Sequence, residues 1–325
     1  MGKGVGGALR TLVGVILLLG CLLEYSAPGC AALGGSAQAA ATTPEACLRS
    51  AVTRKKKTVL QLTADVVLSA DLPVLKCPDL VIVGKCKTPK GRPRKCKIDG
   101  ANKFKGFQFL GQEANLTLSN VELTRFSLLV YAAASGDVVI TDCVLTDLRA
   151  SASSRGVVAV ENVGLTVRNS LITRSKGTIL VAGYGGLDMA NVIFRGNSGG
   201  PVLDHYRAGL RCDKCGFESN TASGDHAVVE PNYGVATFSR SWFVGNSRTK
   251  VGARGGAVYV GGGMTPTYFC NCRFANNTIL LAGGRKKVEH VYVAKGNAVE
   301  FCPKRPSTGL GVASGASVKD SCGNC

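Results

Sequence analysis

The residues best placed to do chemistry are two carboxylates. Aligning GGPVLDHYR, residues 199–207, on HAVVEPNYG, residues 226–234, brings Asp204 and Glu230 to one position. If the two segments are equivalent strands of a stacked repeat, the side chains lie one strand spacing apart, about 4.8 Å. That is near the ~5–5.5 Å separation of the carboxylates in retaining glycosidases. Like charges so close raise one pKa, as a general acid needs. The same pair could hold Ca²⁺ through its oxygens. His205, Arg207 and His226 lie nearby in sequence, and His205 joins the two carboxylates as a candidate catalytic group. The plainer alternative is a pair of outward side chains at a strand end, each meeting a local cation. The same alignment puts Val160, Val181 and Val260 in the column.

A second kind of chemistry is electrostatic. The chain of 325 residues carries a formal charge of +18, and the excess is concentrated. Residues 85–105, KCKTPKGRPRKCKIDGANKFK, contain nine Lys or Arg and one acid, Asp99. Lys85, Lys87, Lys90, Arg92, Arg94, Lys95 and Lys97 are the candidate polyanion-binding set. Arg54-Lys55-Lys56-Lys57 and Arg285-Lys286-Lys287 form smaller clusters. Such patches in a cytosolic protein suggest nucleic acid. In an exported one they suggest an acidic glycan or a cell-surface protein, or serve only as a solvated rim.

The N-terminus points to export. Lys3 and Arg10 precede an apolar run from Leu12 to Leu23, and small residues follow, the layout of a secretory signal peptide. The run is shorter than the ~20 residues of a membrane span. The expected signal peptide is 1–31, with cleavage as late as 39, and the mature chain is expected to lack a transmembrane segment. Export argues against a nucleic-acid partner and for a secreted or cell-surface location. It also makes disulfides the default for the twelve cysteines left after cleavage. Cys212-x-x-Cys215 and Cys322-x-x-Cys325 have half-zinc-site spacing, but disulfides are the better reading, and no metal site is assigned. Cys86 is expected to pair with Cys96, and the terminal cysteines to tie down the tail. The triplets Asn115-Leu-Thr117 and Asn276-Asn-Thr278 are glycosylation acceptors in a eukaryotic export pathway.

The element that must position all of this is a repeat. Phe-x-x-Asn recurs as FRGN, FESN, FVGN and FANN from Phe194, Phe217, Phe243 and Phe274. Extended backwards, the Phe column reads Leu123, Leu145, Ile172, at spacings of 22, 27, 22, 23, 26 and 31 residues. Five residues earlier stand Leu118, Ile140, Val167, Met189, Cys212, Phe238 and Phe269. Seven earlier stand Leu116, Val138, Leu165, Leu187, Leu210, Ala236 and Thr267. The earlier pair alternates as a strand does, and the phase then breaks by one residue. A bend is therefore expected three residues before each Phe-column residue, where Asn120, Asp142, Asn169, Asn191, Lys214, Arg240 and Asn271 stand. A period in the low twenties with tolerated insertions marks a solenoid. Short strands stacked coil on coil give an all-β, right-handed, single-stranded parallel β-helix of roughly 9–10 coils. Asn197, Asn220, Asn246 and Asn277 would then bond along the axis. A leucine-rich repeat lacks its leucine framework here, and a β-sandwich would not keep columns in register over seven units.

The pairing of Phe-x-x-Asn with GGAV at 255–258 and GGPV at 199–202 resembles the repeat of the polymorphic outer-membrane proteins. The wider stretch 58–302, including LVIVGKC and KIDGANKFKGFQFLGQEANLTLSNVEL, is similar to the pectin-lyase-like superfamily of right-handed β-helices. That resemblance implies polysaccharide lyases, hydrolases and proteins without known activity as relatives. The polygalacturonase motifs (Asn-Thr-Asp, Asp-Asp, Gly-His-Gly, Arg-Ile-Lys) are absent. Arg92-Pro93-Arg94 is similar to the Arg-Pro element of pectate lyases but lies in a basic loop, too early in the coil series.

The expected organisation is a leader at 1–31, a cap or linker at 40–57, a β-helix over 58–302 and a cysteine-containing tail at 303–325. Residues 84–105 and 303–325 are candidate cap material for the open ends. The expected function is binding of acidic glycan or a protein partner by a non-catalytic exported protein. The alternative is a polysaccharide lyase or glycoside hydrolase acting at Asp204 and Glu230.

Overall fold

The computed structural model describes residues 43–325, apart from 112, 134, 152–154 and 264–265, together with the backbone of Cys30–Leu33. The leader expected at 1–31 thus lies outside the described residues except for Cys30 and Ala31. The chain winds as a parallel β-helix. The three columns read from the sequence are in register throughout: Leu123, Leu145, Ile172, Phe194, Phe217, Phe243 and Phe274 are successive strand partners. So are the residues five and seven positions earlier.

Three walls result. The first has eleven parallel strands, from Thr58–Leu62 to Ser317–Asp320. The second runs from Val66–Val67 to Arg273–Ala275, and the third from Lys105–Leu110 to Leu310–Val312. A narrow fourth sheet, Ser198–Gly199 to Thr278–Leu280, closes the later coils.

The corners follow from backbone sterics. The seven residues at the expected bend all have positive φ, between 48° and 54°. A second left-handed corner falls two residues after the Phe column, at Arg125, Asp147, Arg174, Gly196, Ser219, Gly245 and Asn276. A third follows the third wall, at Asn162, Tyr184, Arg207, Tyr233 and Gly262. One left-handed residue turns the chain sharply without breaking the inward–outward alternation on either side.

Inside, like residues pile on like. Phe194, Phe217, Phe243 and Phe274 stack with ring centroids 4.9–5.0 Å apart and planes within 6° of parallel. Phe238, Phe269 and Phe301 form a second pile at 5.2–5.3 Å. The asparagines form the expected axial ladder. Nδ2 of Asn197, Asn220 and Asn246 donates to Oδ1 of the next Asn at 2.9–3.0 Å. The second Nδ2 hydrogen of each of the four asparagines goes to a backbone carbonyl of the preceding coil. Ser175 extends the ladder one coil further, its amide donating to Asn197 and its hydroxyl accepting from the Leu148 amide.

The ends differ from expectation. The basic segment is not a cap, because Cys96–Asp99 pairs on both sides, with Val66–Val67 and with Val121–Thr124. The N-terminal end is covered by a helix, α1 (Pro44–Thr53), which lies within the stretch 40–57 read as cap or linker and buries Leu48, Ala51 and Val52. Its signals are local: the Thr43 hydroxyl accepts from the Ala46 amide, proline opens the first turn, and Glu45 sits there. Cys30–Leu33 pairs antiparallel with Val59–Leu62 and covers the edge of the first wall. The boundary at 302 falls inside the solenoid, since Leu310–Val312 and Ser317–Asp320 continue two walls in parallel. Cys302–Cys322 and Cys270–Cys325 fasten this last coil.

Candidate functional site

Asp204 and Glu230 are strand partners in the third wall. Leu203 and His205, like Val229 and Pro231, point inward, so both carboxylates face out. The column reads Tyr131, Ala159, Val181, Asp204, Glu230, and Val229 opposite Val258 sets Tyr259 beside Glu230. Val160 and Val260 are therefore not in it. The count from the glycine before each strand to the column position is three at Gly156, four at Gly177 and five at Gly199, so an alignment anchored on glycine slips.

Glu230 is nearly covered, at 6% exposure. Its carboxylate accepts from the Ala227 amide at 2.6 Å and meets His226 Nδ1 at 2.9 Å. Burial raises its pKa above the usual carboxylate value, and the Asp204 charge adds to the rise, against His226 and the Ala227 amide. Asp204 is half-buried and its pKa is also raised by burial, opposed by Asn232, whose Nδ2 lies 3.4 Å from Asp204 Oδ1. A carboxyl that keeps its proton to higher pH can donate it, which is what a general acid does.

His205 does not belong to this group. It is fully buried and points into the core, on the opposite face of its strand from Asp204. Neither ring nitrogen finds a hydrogen-bond partner. Burial depresses its pKa to about 4, although the Gly209 backbone lies close enough to oppose the fall slightly. The histidine at the carboxylates is His226. Its signal is the spacing His-x-x-x-Glu, which folds back over the start of the strand.

Sequence reasoning also missed Arg248, which is 4% exposed. Its guanidinium donates to the carbonyls of Arg254 and Asp225 and lies 5.8 Å from the Tyr259 ring centroid. Burial lowers its pKa, and the charges of Glu230, Asp225, Tyr259 and Glu289 act against that. Glu289, buried alongside, accepts from the Gly255 amide at 2.7 Å. Among the described residues no group of three or more His, Cys, Asp or Glu side chains converges as a metal cage. Asp204 and Glu230 are the two carboxylates a Ca²⁺ would use.

The basic segment forms a separate surface. Cys86–Lys87 and Pro93–Arg94 pair antiparallel as a small hairpin, and a Cys86–Cys96 disulfide clamps its base. Lys85, Lys87, Lys90 and Arg92 are exposed and form no ion pair among the described residues. Of the other three cations, Arg94 and Lys95 are engaged at the base. Arg94 grips Asp65 with two nitrogens at 2.7 and 3.1 Å. Lys95 donates to Asn120 Oδ1 and to the Asp142 carbonyl, and the Lys97 amide donates to Asp65. The candidate set of seven thus divides into four projecting charges, two that brace them, and the half-buried Lys97, which bonds to Asp65 through its backbone amide.

Cys212 and Cys215 are joined to each other, and Cys47 is also disulfide-bonded. Cys77, Cys143 and Cys272 remain free thiols, so the disulfide default does not extend to them. Cys143 stacks next to Ser170, and Ser241 separates Cys215 from Cys272, which leaves no sulfur one coil away. Of the two acceptor asparagines, Asn276 is exposed at a corner with φ 54°. Asn115 is half-buried and its Oδ1 accepts from the Asp137 amide.

The chain belongs to the right-handed β-helix region family, which matches residues 105–279. Among solved structures it is similar to a mannuronic acid specific polysaccharide family 6 lyase enzyme from human gut microbiota. The identity is 13% over 82% of this chain and 83% of that one, with a TM-score of 0.24, too low to carry an argument about substrate. No curated protein matches the chain. No helix among the described residues is long and apolar enough to cross a membrane.

Proposed function

We propose that this is an exported, non-catalytic β-helix protein that binds an acidic glycan at the cell surface or in the extracellular matrix. The observation that carries the reading is the disulfide-clamped hairpin with four projecting, unpaired cations. A clamped base reduces the ordering cost of binding, and clustered cations raise the local concentration of a polyanion. An acidic patch on a protein partner would meet the same four charges, and the glycan arm below separates the two. The reading includes glycans on Asn115 and Asn276 and a leader removed after Ala31 or Ala39, a cut that takes part or all of the Cys30–Leu33 edge strand with it. The test is retention on immobilised polygalacturonate. Wild-type protein is expected to bind and to elute with salt, and a quadruple variant with Lys85, Lys87, Lys90 and Arg92 changed to Ser is expected to elute at markedly lower salt.

The second reading is a polysaccharide lyase or glycoside hydrolase. What favours it is the register of Asp204 on Glu230, with both pKa values raised and His226 in contact. Turnover of an acidic or neutral glycan, with or without Ca²⁺, that disappears in Asp204→Asn and Glu230→Gln while the fold is kept would establish it. Binding without new reducing ends or unsaturated products would remove it.

A further inference from the structure

Six of the chain's eight tyrosines stand on the third wall or its corner: Tyr131, Tyr184, Tyr206, Tyr233, Tyr259 and Tyr292. Three of them make a strip beside the carboxylate pair. Tyr206 is two residues from Asp204 on the same strand face. It packs edge-on against Tyr184 at 5.7 Å and against Tyr233 at 5.3 Å. Tyr184 is 54% exposed and Tyr233 48%. Arg207 lies among them, its guanidinium carbon 5.8, 5.1 and 5.6 Å from the three ring centroids. It is exposed and has no carboxylate partner among the described residues, unlike Arg125, Arg174 and Arg240 at other corners.

The strip runs against local backbone preference. Tyr184, Arg207 and Tyr233 occupy the third left-handed corner, at φ 59°, 57° and 55°. Asn162 and Gly262 hold the same corner in the flanking coils, and those residue types accept it readily. Gly262 also leaves room for Tyr233, since a Cβ there would stand 2.8 Å from the Tyr233 ring.

We propose that this strip is a saccharide-binding site that takes a pyranose ring bearing a carboxylate or sulfate. The half-exposed rings of Tyr184 and Tyr233 suit the apolar C–H face of a pyranose, and the guanidinium, which has no carboxylate partner among the described residues, suits its anion. Asp204 and Asn232 present an acceptor and a donor to the hydroxyls. Successive coils rise by about 4.8 Å, roughly one pyranose along an extended chain. A proline-rich peptide would also use the ring faces, but it has no anion for Arg207 to read. The inference rests on the glycan-binding reading for its ligand class, but not on the hairpin.

The test is titration of the full chain with three short probes: an oligogalacturonate, a sulfated galactan oligomer and a neutral cello-oligosaccharide. Tyr206→Ala and Arg207→Ala are compared with the hairpin quadruple variant, and thermal unfolding checks the fold of each. The expected result is that at least one anionic probe binds, that each strip variant weakens it by ~10-fold or more, and that the hairpin variant leaves it unchanged. Galacturonate against sulfated galactan then identifies the anion. Failure of every probe to bind, equal affinity for the neutral probe, or undiminished binding by a folded Arg207→Ala variant overturns the proposal. So does a proline-rich peptide bound in place of the sugars. Loss of short-probe binding in the hairpin variant alone would assign the glycan to the hairpin and also overturn it.

Discussion

At the residue scale, two residues on adjacent strands of the third wall respond to pH with opposite sign. His205 is buried neutral, its pKa depressed from 6.5 to about 4. Its contribution is present above the unfolded value and is lost as pH falls from about 6.5 toward 4. At ~1.4 kcal/mol per unit this approaches about 3 kcal/mol at the acid limit. His205→Leu should therefore flatten the acid limb of a stability–pH curve from urea unfolding and cost little at pH 7, since it also removes two unpartnered nitrogens. An acid limb unchanged by His205→Leu would contradict the burial argument. Glu230 behaves the other way. Its raised pKa means that its contribution is full at low pH and is lost as pH rises through the raised value. Glu230→Gln, which keeps an acceptor for the Ala227 amide, should be at least as stable as wild type at neutral pH. The sequence showed that Asp204 and Glu230 share a column, because the apolar residues before them align. It misplaced His205, because proximity along a strand hides the alternation that turns adjacent side chains to opposite faces. The strip of Tyr184, Tyr206, Arg207 and Tyr233 was not singled out from the sequence, because Arg207 interrupts the tyrosines of the corner column and Asn162 and Gly262 fill it in the flanking coils.

At the element scale the strands and the first corner were legible, and the other two corners and the ends were not. The Phe and Asn columns specify register because every coil repeats the demand for the same apolar or amide partner. α1 was missed because a ten-residue helix with three buried positions carries little periodicity, and its capping residues were the better signal. The coil past 302 was missed because Leu310–Val312 is only three residues with glycine at its centre, and Ser317–Asp320 carries a single apolar residue, Val318. The asparagine ladder makes the sharpest prediction here. Asn220 accepts from the Asn197 amide and side chain and donates to Phe194 O and Asn246 Oδ1. Asn220→Ala orphans several of these buried groups at about 1–3 kcal/mol each. Thermal unfolding should show a loss well beyond that of Asn276→Ala, which removes an exposed side chain two coils further on. Similar losses for the two variants would mean the ladder contributes little.

At the scale of the whole molecule, a stack of coils separates stability from surface chemistry. Each coil rests mainly on its neighbours, and the interior piles of Phe, Asn and aliphatic residues serve all walls at once. Outward positions on the third wall and in the hairpin can therefore carry charge and aromatic rings without disturbing the stack. The net charge of +18 was plain from composition, but the split of the basic segment into four projecting cations and two bracing ones depends on Asp65, Asn120 and Asp142 arriving from other coils. The most direct measurement of the central claim is the affinity for polygalacturonate from about 50 to 500 mM NaCl, for wild type and the hairpin quadruple variant, with product analysis of the same samples. Screening weakens exposed charge contacts over this range, so wild-type affinity should fall steeply with salt, the variant should bind weakly throughout, and no cleaved products should accumulate. A variant that binds like wild type, or product accumulation with either protein, would contradict the account.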